Sequence, residues 1–513
     1  MKFLITDSVP LNGGDEAMLW ATCESIRARW PEAEITVLCH ELELCRSYLP
    51  GFQTAAGTNF VSTSYDCQKT SDLYRGADVV LSAPGGFLHD WYDFEDRLRG
   101  FDFALTLGKP LILLPQSIGP FWKPESIKRI SSVLNRASLV CVRDHASTRA
   151  LLECGVDPAK ILEAADISFL WRQLAPELFH ARKRPVRKIG LNFRAWPQDD
   201  GASLQEIIGK AAQLCRFLLS RPDRELVFIS TCQGVPRYID DSLVAAEILQ
   251  QLPYSFQQRC QINDRRYATR ELIEALGKFD AFIGMRLHGC LLAMLGGTPS
   301  MGLGYETKTA EIFGQLNLES YQLSFRAPEP QWLRCAEHFL ADAECISHRL
   351  PPALGALAQK AATSLDAIEN FLPRPGSTSS KFSAVGGNKD LTIALPPTVS
   401  ETIEAIEKLV ASGVPFIFVD EDHWRNDLFP TDGAIPFMEK DGQYWGPPLD
   451  DAAAITEFER LHNSGASYIV FAAHAFWWLE YYAGFGAYLR AKFSCVLQNE
   501  ILVVFDLRPN RQP

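Results

Sequence analysis

Short apolar runs bounded by Gly, Pro, Asn or Asp alternate along the chain with stretches whose apolar positions recur every three or four residues. The runs predict strands buried on both faces and the stretches predict helices. Their regular alternation predicts parallel sheets covered by helices on each side. KFLIT, a helix from about Asp15 to Trp30 and EITVLC begin the series, and ADVVLSAPGG, KPLILLPQSIG and ASLVCVRD extend it. DHASTRALLECGV reads as a helix closed by Gly155, and KILEAADISFLW supplies one more strand, completing a first domain over 1–178.

The basic stretch HARKRPVRK breaks the series, which resumes with KIGLNFRAW, a helix from about Ser203 to Leu219, RELVFISTC, a helix near Asp240 to Gln251, and KFDAFIGM. Helices up to Phe371 end a second unit, 186–372, so the fold to expect is two facing doubly wound Rossmann-like domains with a cleft between the carboxyl ends of their sheets. PRPGSTSSKFSAVGGNK, 373–389, has linker composition. Beyond it, 390–513 repeats the pattern on a smaller scale, with LTIALPP, a helix over Val399 to Ala411, VPFIFVDED, AAAITEFERLHNSG, SYIVFAA, an aromatic helix and EILVVFDL, which predicts an accessory α/β domain.

Composition narrows the classes of partner. A net charge of −12 repels nucleic acid and anionic membrane, so an anion site must be a local basic pocket. No apolar run approaches the roughly 20 residues that span a bilayer, and MKFLITDSVP lacks the form of a secretory signal. The 13 cysteines show no CxxC pair or metal-like spacing, which predicts free thiols, a cytoplasmic setting and no metal site.

The chemistry gathers at strand ends. FIGMRLHGCLLAMLGGTPSMGLGYETK places Arg286 and His288 before one helix and Lys308 at the start of the next. Helix N-termini attract anions, Arg binds phosphate or carboxylate bidentately, and His transfers protons near neutral pH. Gly289 is expected to let backbone approach a ligand closely. The competing account is a surface arginine beside a histidine that caps the helix. GLNFRAW puts Arg194 just past a strand end, where a solvated side chain is the bland alternative. In LNGGDEAML, Gly13 and Gly14 permit tight approach and Asp15 reads as the helix N-cap. APGGFLHD and PQSIGPF are two further glycine-bearing loops. In VRDHAS, capping accounts for Asp144 and Ser147. GxGxxG, Walker A, GxSxG and HExxH are all absent from the sequence.

Taken in order, NGGDEAM, PGGFLHD, PQSIGPF, VRDHAST, ADISF, MRLHG and the spacing Pro299, Leu303, Tyr305, Lys308 resemble the polysaccharide pyruvyl transferase family over roughly residues 1 to 340. The resemblance implies a glycosyltransferase type-B-like pair of domains. It also implies transfer of pyruvyl from phosphoenolpyruvate, a co-substrate with no further cofactor, to two hydroxyls of one sugar as a cyclic ketal. It makes His288 and Arg286 the catalytic pair. Arg194, Arg286, Lys308, Asn192 and Gly289 become the donor site on the second domain. Asn12, Asp15, Gly85, Gly86 and Gln116 face the sugar acceptor from the first. The partners it implies are a sugar or lipid-linked glycan, with room for peripheral contact with membrane glycan machinery and for a homo-oligomer.

The last unit resembles a module appended to bacterial surface-glycan and methyltransferase proteins. Its Trp477, Trp478, Tyr481 and Tyr482 fit a packed core better than a sugar platform. Two other functions stay open at this point: a nucleotide-sugar glycosyltransferase of the same architecture, and a non-catalytic glycan-binding or assembly protein.

Overall fold

The computed structural model describes residues 1–8, 12–39, 42, 46, 51–56, 67–181, 185–195, 204–232, 240–305, 307–372, 405–406, 408–411, 413–420, 433–440, 443–444, 448, 450–472, 475–476, 478–499 and 501–508. The expected linker over 373–389 lies outside them, as does Trp477.

The first lobe is built on β1 (Lys2–Ser8), β2 (Glu34–Cys39), β3 (Gln53–Ala56), β4 (Val79–Ser82), β5 (Gly85–Leu88), β6 (Leu111–Ile118), β7 (Leu139–Val142) and β8 (Ile161–Glu163). These strands run in the order β3-β2-β1-β4-β6-β7-β8, all parallel, with β5 paired to β6. The second lobe carries β9 (Lys188–Asn192), β10 (Glu225–Ile229), β11 (Cys260–Asn263), β12 (Ala281–Gly284), β13 (Ser300–Gly304) and β14 (Gln322–Ser324). Its order is β11-β10-β9-β12-β13-β14, again parallel.

Each order reverses once, between β1 and β4 in the first sheet and between β9 and β12 in the second. Ligands of open parallel sheets bind outside the carboxyl ends at such a reversal. The loops leaving these four strands lead to Asn12 and Asp15, to Gly85 and Gly86, to Arg194, and to Arg286 and His288. Four of the turns that stood out in the sequence are therefore the turns at the two reversals, while the turn to Lys308 follows β13 and Gln116 lies on β6, each one strand further out.

One contiguous apolar core runs through both lobes. The helix Glu329–Asp366 follows the second sheet but returns to the first lobe, where it packs on the short turn Ile167–Leu170. Arg29 reaches Asp366 at 2.8 Å and Lys360 reaches Glu163 at 3.1 Å.

A second tie is buried. Glu16, in the helix Gly13–Arg29, accepts from the backbone N–H and the hydroxyl of Thr269, each at 3.0 Å. Thr269 opens a second-lobe helix whose cap position is Ala268, a residue with no side-chain oxygen, so the opposite lobe supplies the cap. Burial pushes the Glu16 carboxyl from 4.5 to about 7 against those hydrogen bonds and Arg266. Because the folded-state value lies above the unfolded one, the folded chain holds the extra proton between them. Stability is thus expected to fall as pH rises from about 4.5 through 7, by on the order of 3 kcal/mol. Glu16→Gln keeps an acceptor for Thr269 and should flatten that slope. Urea midpoints between pH 5 and 8 that track the parent chain would exclude Glu16 as its source.

The remaining sheet is separate. Its strands are β15 (Phe416–Val419), β16 (Ala434–Pro436), β19 (Tyr468–Ala472), β20 (Ser494–Gln498) and β21 (Leu502–Asp506), beside a small pair β17 (Glu439–Lys440) and β18 (Gln443–Tyr444). The order β16-β15-β19-β21-β20 is parallel up to β19 and antiparallel beyond it. Trp478 and Tyr482 are buried in its core, while Tyr481 is exposed. No helix among the described residues is long and apolar enough to cross a membrane.

Candidate active site

Chain entry from β1 sets the first wall. Asn12, not Asp15, caps the helix Gly13–Arg29: its Oδ1 accepts from the Gly14 N–H at 3.3 Å. Asp15 sits in the first turn, where Asn12 Nδ2 donates to it at 2.9 Å. The same turn is stitched to the other lobe, since Gly13 N–H donates to the Thr231 carbonyl at 2.9 Å and Asn12 bridges Cys232. Gly14 is glycine for a steric reason: a Cβ there would lie 2.5 Å from the His288 ring.

His288 enters from the second lobe, on the first turn of the helix Leu287–Leu295. Its Nε2 lies 3.3 Å from Asp166 Oδ2, and Arg143 Nη1 donates to the same oxygen at 2.7 Å. Burial alone would raise the Asp166 carboxyl. The charges of His288 and Arg143, with hydrogen bonds from His288 and Ser168, outweigh it and hold the group well below the usual carboxylate range. An ionised carboxylate only accepts, so Nε2 carries the proton and Nδ1 is the nitrogen left for chemistry.

Arg143 is fully buried and braced. Its Nε donates to Ser117 Oγ at 2.8 Å, Ser117 donates to Asp144 at 2.5 Å, and Gln315 from the second lobe donates to the Arg143 carbonyl at 2.8 Å. Nη2 finds no acceptor among the described residues. A point one Cβ bond out from Gly86 lies 3.3 Å from that Nη2 and 3.8 Å from Lys308 Nζ. Any side chain at 86 would intrude between the two cations. Asp15 faces the same group: burial raises its carboxyl while His288, Lys308 and Arg143 pull it down, in that order, with a net rise.

A second set stands behind Lys308. The Tyr305 ring has the Arg194 guanidinium 4.8 Å from its centroid on one side and Lys308 Nζ 5.6 Å away. Arg194 Nη1 also donates to the Tyr305 hydroxyl at 2.9 Å. Arg286 is buried and paired: Nε reaches both Asp241 oxygens at 2.8 Å and Nη2 reaches Oδ1 at 2.7 Å. Only Nη1 makes no hydrogen bond among the described residues. Asn192 is a brace for this pair, donating to Asp241 at 3.0 Å and to the Ile229 carbonyl at 2.9 Å.

Three expectations take different places. Gly289 gives close approach not to a cleft but to the Phe282 ring, 3.4 Å from where its Cβ would stand, so it serves helix–strand packing. Gln116 is fully buried, its amide donating to Ser82 Oγ and the Ala83 carbonyl at 2.9 Å each. Ser82 in turn donates to Asp7 at 3.0 Å. Asp7, next to last in β1, has φ 64°, a left-handed conformation costly for most residues and tolerated best by Asn and Asp. Its carboxyl is raised by burial against Arg97, whose Nε is 3.8 Å away. Gln116 is thus part of the foundation under the first wall, and Gly85 packs under the Phe87 ring. Among the described residues no group of three or more His, Cys, Asp or Glu is arranged to hold a metal ion.

Two facing parallel lobes with cations converging from both define a two-lobed α/β protein of the glycosyltransferase type-B-like class. A co-structure of S. aureus MnaA with UDP shares the fold, with a TM-score of 0.50 at 16% identity over 72% of this chain and 97% of that one. The Anabaena Alr3699/HepE complex with UDP and glucose aligns at a TM-score of 0.48 and 14% identity, over 72% of this chain and 98% of that one. Residues 12–307 match the family model described as Polysaccharide pyruvyl transferase, and the chain belongs to that family. The amylovoran biosynthesis protein AmsJ of Erwinia amylovora is 27% identical over 265 residues, 49% of this chain. The match spans 62% of that relative's length.

Proposed function

We propose that the chain transfers a pyruvyl group from phosphoenolpyruvate to two hydroxyls of one sugar in a polysaccharide or its lipid-linked precursor, forming a cyclic ketal. The observation that carries this reading is the convergence of Arg143 Nη2 and Lys308 Nζ within 4 Å of one point beside Gly86, next to a histidine fixed by a buried carboxylate. A small donor carrying both a carboxylate and a phosphate calls for two cations and a proton donor in one place. Family membership supports the pyruvyl-transfer part of this reading, and the amylovoran biosynthesis relative supports a polysaccharide setting.

In this reading Lys308 and Arg143 hold the donor anions, with Arg194 and Arg286 supporting them around Tyr305. The His288 imidazolium delivers a proton to C3 of the enol, making a methyl group and an electron-poor C2. One sugar hydroxyl bonds to C2 and gives its proton to Asp15, a carboxyl that burial has made a better base. The C2–O bond to phosphate then breaks, its charge met by Lys308 and Arg143. A second hydroxyl closes the ketal, and its proton leaves with phosphate. Proton return from Asp15 to His288 restores the site. Each donor thus yields one phosphate, and the sugar gains pyruvate less one water. Asn12 and the Gly85–Gly86 strand border the acceptor. The setting is the cytoplasm, in keeping with the eleven free cysteines among the described residues.

The test is incubation with phosphoenolpyruvate and β-galactoside, glucoside, mannoside and N-acetylmannosamine acceptors, read by phosphate release and sugar mass. The expected result is one phosphate per sugar that gains pyruvate less water. Consumption of a nucleotide sugar, with phosphoenolpyruvate untouched, would overturn the reading.

A further inference from the structure

Next to the site, the first lobe holds two tryptophans in solvent on a braced wall. Trp91 follows β5 and Trp122 follows β6, and they are 40% and 51% exposed. Their rings meet edge to face at 5.4 Å. Both loops leave the carboxyl edge of the sheet, the edge that presents Gly86 to Arg143 and Lys308. Asp90 ties them together. Its Oδ2 accepts from the backbone N–H groups of Trp122 at 2.6 Å and Lys123 at 2.8 Å, and its own N–H donates to the Pro120 carbonyl at 3.2 Å. Gly119 N–H donates to the Leu88 carbonyl at 2.7 Å, and His89 packs under Trp91 with ring centroids 5.2 Å apart.

An exposed indole gives up the free energy its burial would supply, and two side by side double that loss. Here a buried carboxylate orders two separate loops so that the pair forms. Such an arrangement suits a ligand that is apolar on its faces and polar at its rim. A pyranose ring fits that description, since its C–H face stacks on indole while its hydroxyls stay in water. Trp91 is five residues from Gly86, at most about 18 Å along an extended chain, a span of a few sugar rings. A polymer acceptor with one ring at Gly86 has its neighbouring rings within reach of this wall.

We infer that Trp91 and Trp122 form a glycan subsite that stacks a non-reacting pyranose of the acceptor chain, so the enzyme prefers oligosaccharides to single sugars. The inference rests on the pyruvyl-transfer reading for the position of the reacting sugar. Binding is tested on the full chain with an array of galactosyl, glucosyl and mannosyl oligosaccharides and their monosaccharides, comparing the parent with Trp91→Ala/Trp122→Ala. Turnover is followed in parallel by phosphate release from phosphoenolpyruvate. The parent should bind oligosaccharides of one sugar type, and the double variant should bind them roughly 10-fold or more weakly. KM should rise for the oligosaccharide and stay unchanged for the monosaccharide. Trp122→Phe, which keeps a ring, should recover part of the binding and separates stacking from misfolding.

Equal array binding by parent and variant, or no oligosaccharide binding by the parent, overturns the subsite. So does a tryptophan-dependent shift in oligomeric state, or tryptophan-dependent flotation with phosphatidylethanolamine–phosphatidylglycerol vesicles without glycan binding. Tryptophan-dependent array binding without phosphate release would instead defeat the pyruvyl-transfer reading and leave the subsite standing.

Discussion

His288→Asn is expected to lower phosphate release from phosphoenolpyruvate by roughly 10²- to 10⁴-fold, the usual contribution of a positioned general acid. The variant isolates chemistry from packing. Arg143 still neutralises the Asp166 carboxylate, so no buried charge is orphaned, although the shorter amide does not reach the place of Nε2. The loss should therefore fall on kcat, with KM for phosphoenolpyruvate little changed because Arg143 and Lys308 remain. Gly14→Ala reaches the same end from the other lobe. Its methyl would sit 2.5 Å from the imidazole and displace the ring from Asp166. Both chains should melt within a few degrees of the parent. Turnover by His288→Asn within a few-fold of the parent would reduce His288 to a structural partner of Asp166.

Much of the architecture was legible because parallel strands buried on both faces advertise themselves. LILLPQSI is almost wholly buried in β6 and opens on the apolar run LILLP, and AFIG and SMGLG are likewise buried throughout in the second sheet. The site loops were legible for a related reason. Function in this architecture sits where strand order reverses, and loops there carry Gly, Asn, Arg and His where a mere connection would not. What the sequence concealed are partnerships across the chain. Asp241 follows Asp240 at a helix start and looks like a second capping residue, yet it is the counter-ion of Arg286, 45 positions away. Arg143, in the VRDHAS turn, suggests no role from the sequence because its purpose depends on Asp166 and on Lys308 from the other lobe. The helix cap went to Asn12 and not Asp15, a shift of three residues that only backbone geometry decides. Glu16 gave no signal either, since the helix it caps begins more than 250 residues later.

These partnerships change how the proposed donor site divides between the lobes. The sequence placed the donor cations on the second lobe and the acceptor residues on the first. In the structure Arg143 and Lys308 approach one point from opposite lobes, and His288 is oriented by a first-lobe carboxylate. A site assembled this way exists only while the lobes are docked. That gives the cross-lobe ties through Glu16, Gly13 and Gln315 a functional reason to be buried and hydrogen-bonded.

Arg286→Ala should destabilise the chain by about 3–5 kcal/mol at neutral pH, the cost of leaving a buried carboxylate without its cation. Asp241 is nearly inaccessible, and without the guanidinium it retains, among the described residues, only the N–H of Thr231 at 3.2 Å and the amide of Asn192. A loss of activity in that variant is ambiguous by itself. Arg286→Met with Asp241→Asn resolves it, because the pair is removed together and the Thr231 N–H keeps an acceptor. Urea unfolding should show that this double variant regains at least half the stability lost by Arg286→Ala. Phosphoenolpyruvate binding should nevertheless stay weak, since Nη1 is the one guanidinium nitrogen not spent on Asp241 and its charge acts on Tyr305, the ring shared by Arg194 and Lys308. If binding and turnover return with stability, Arg286 serves the fold through Asp241 alone, and the donor site is left to Arg143, Lys308 and Arg194.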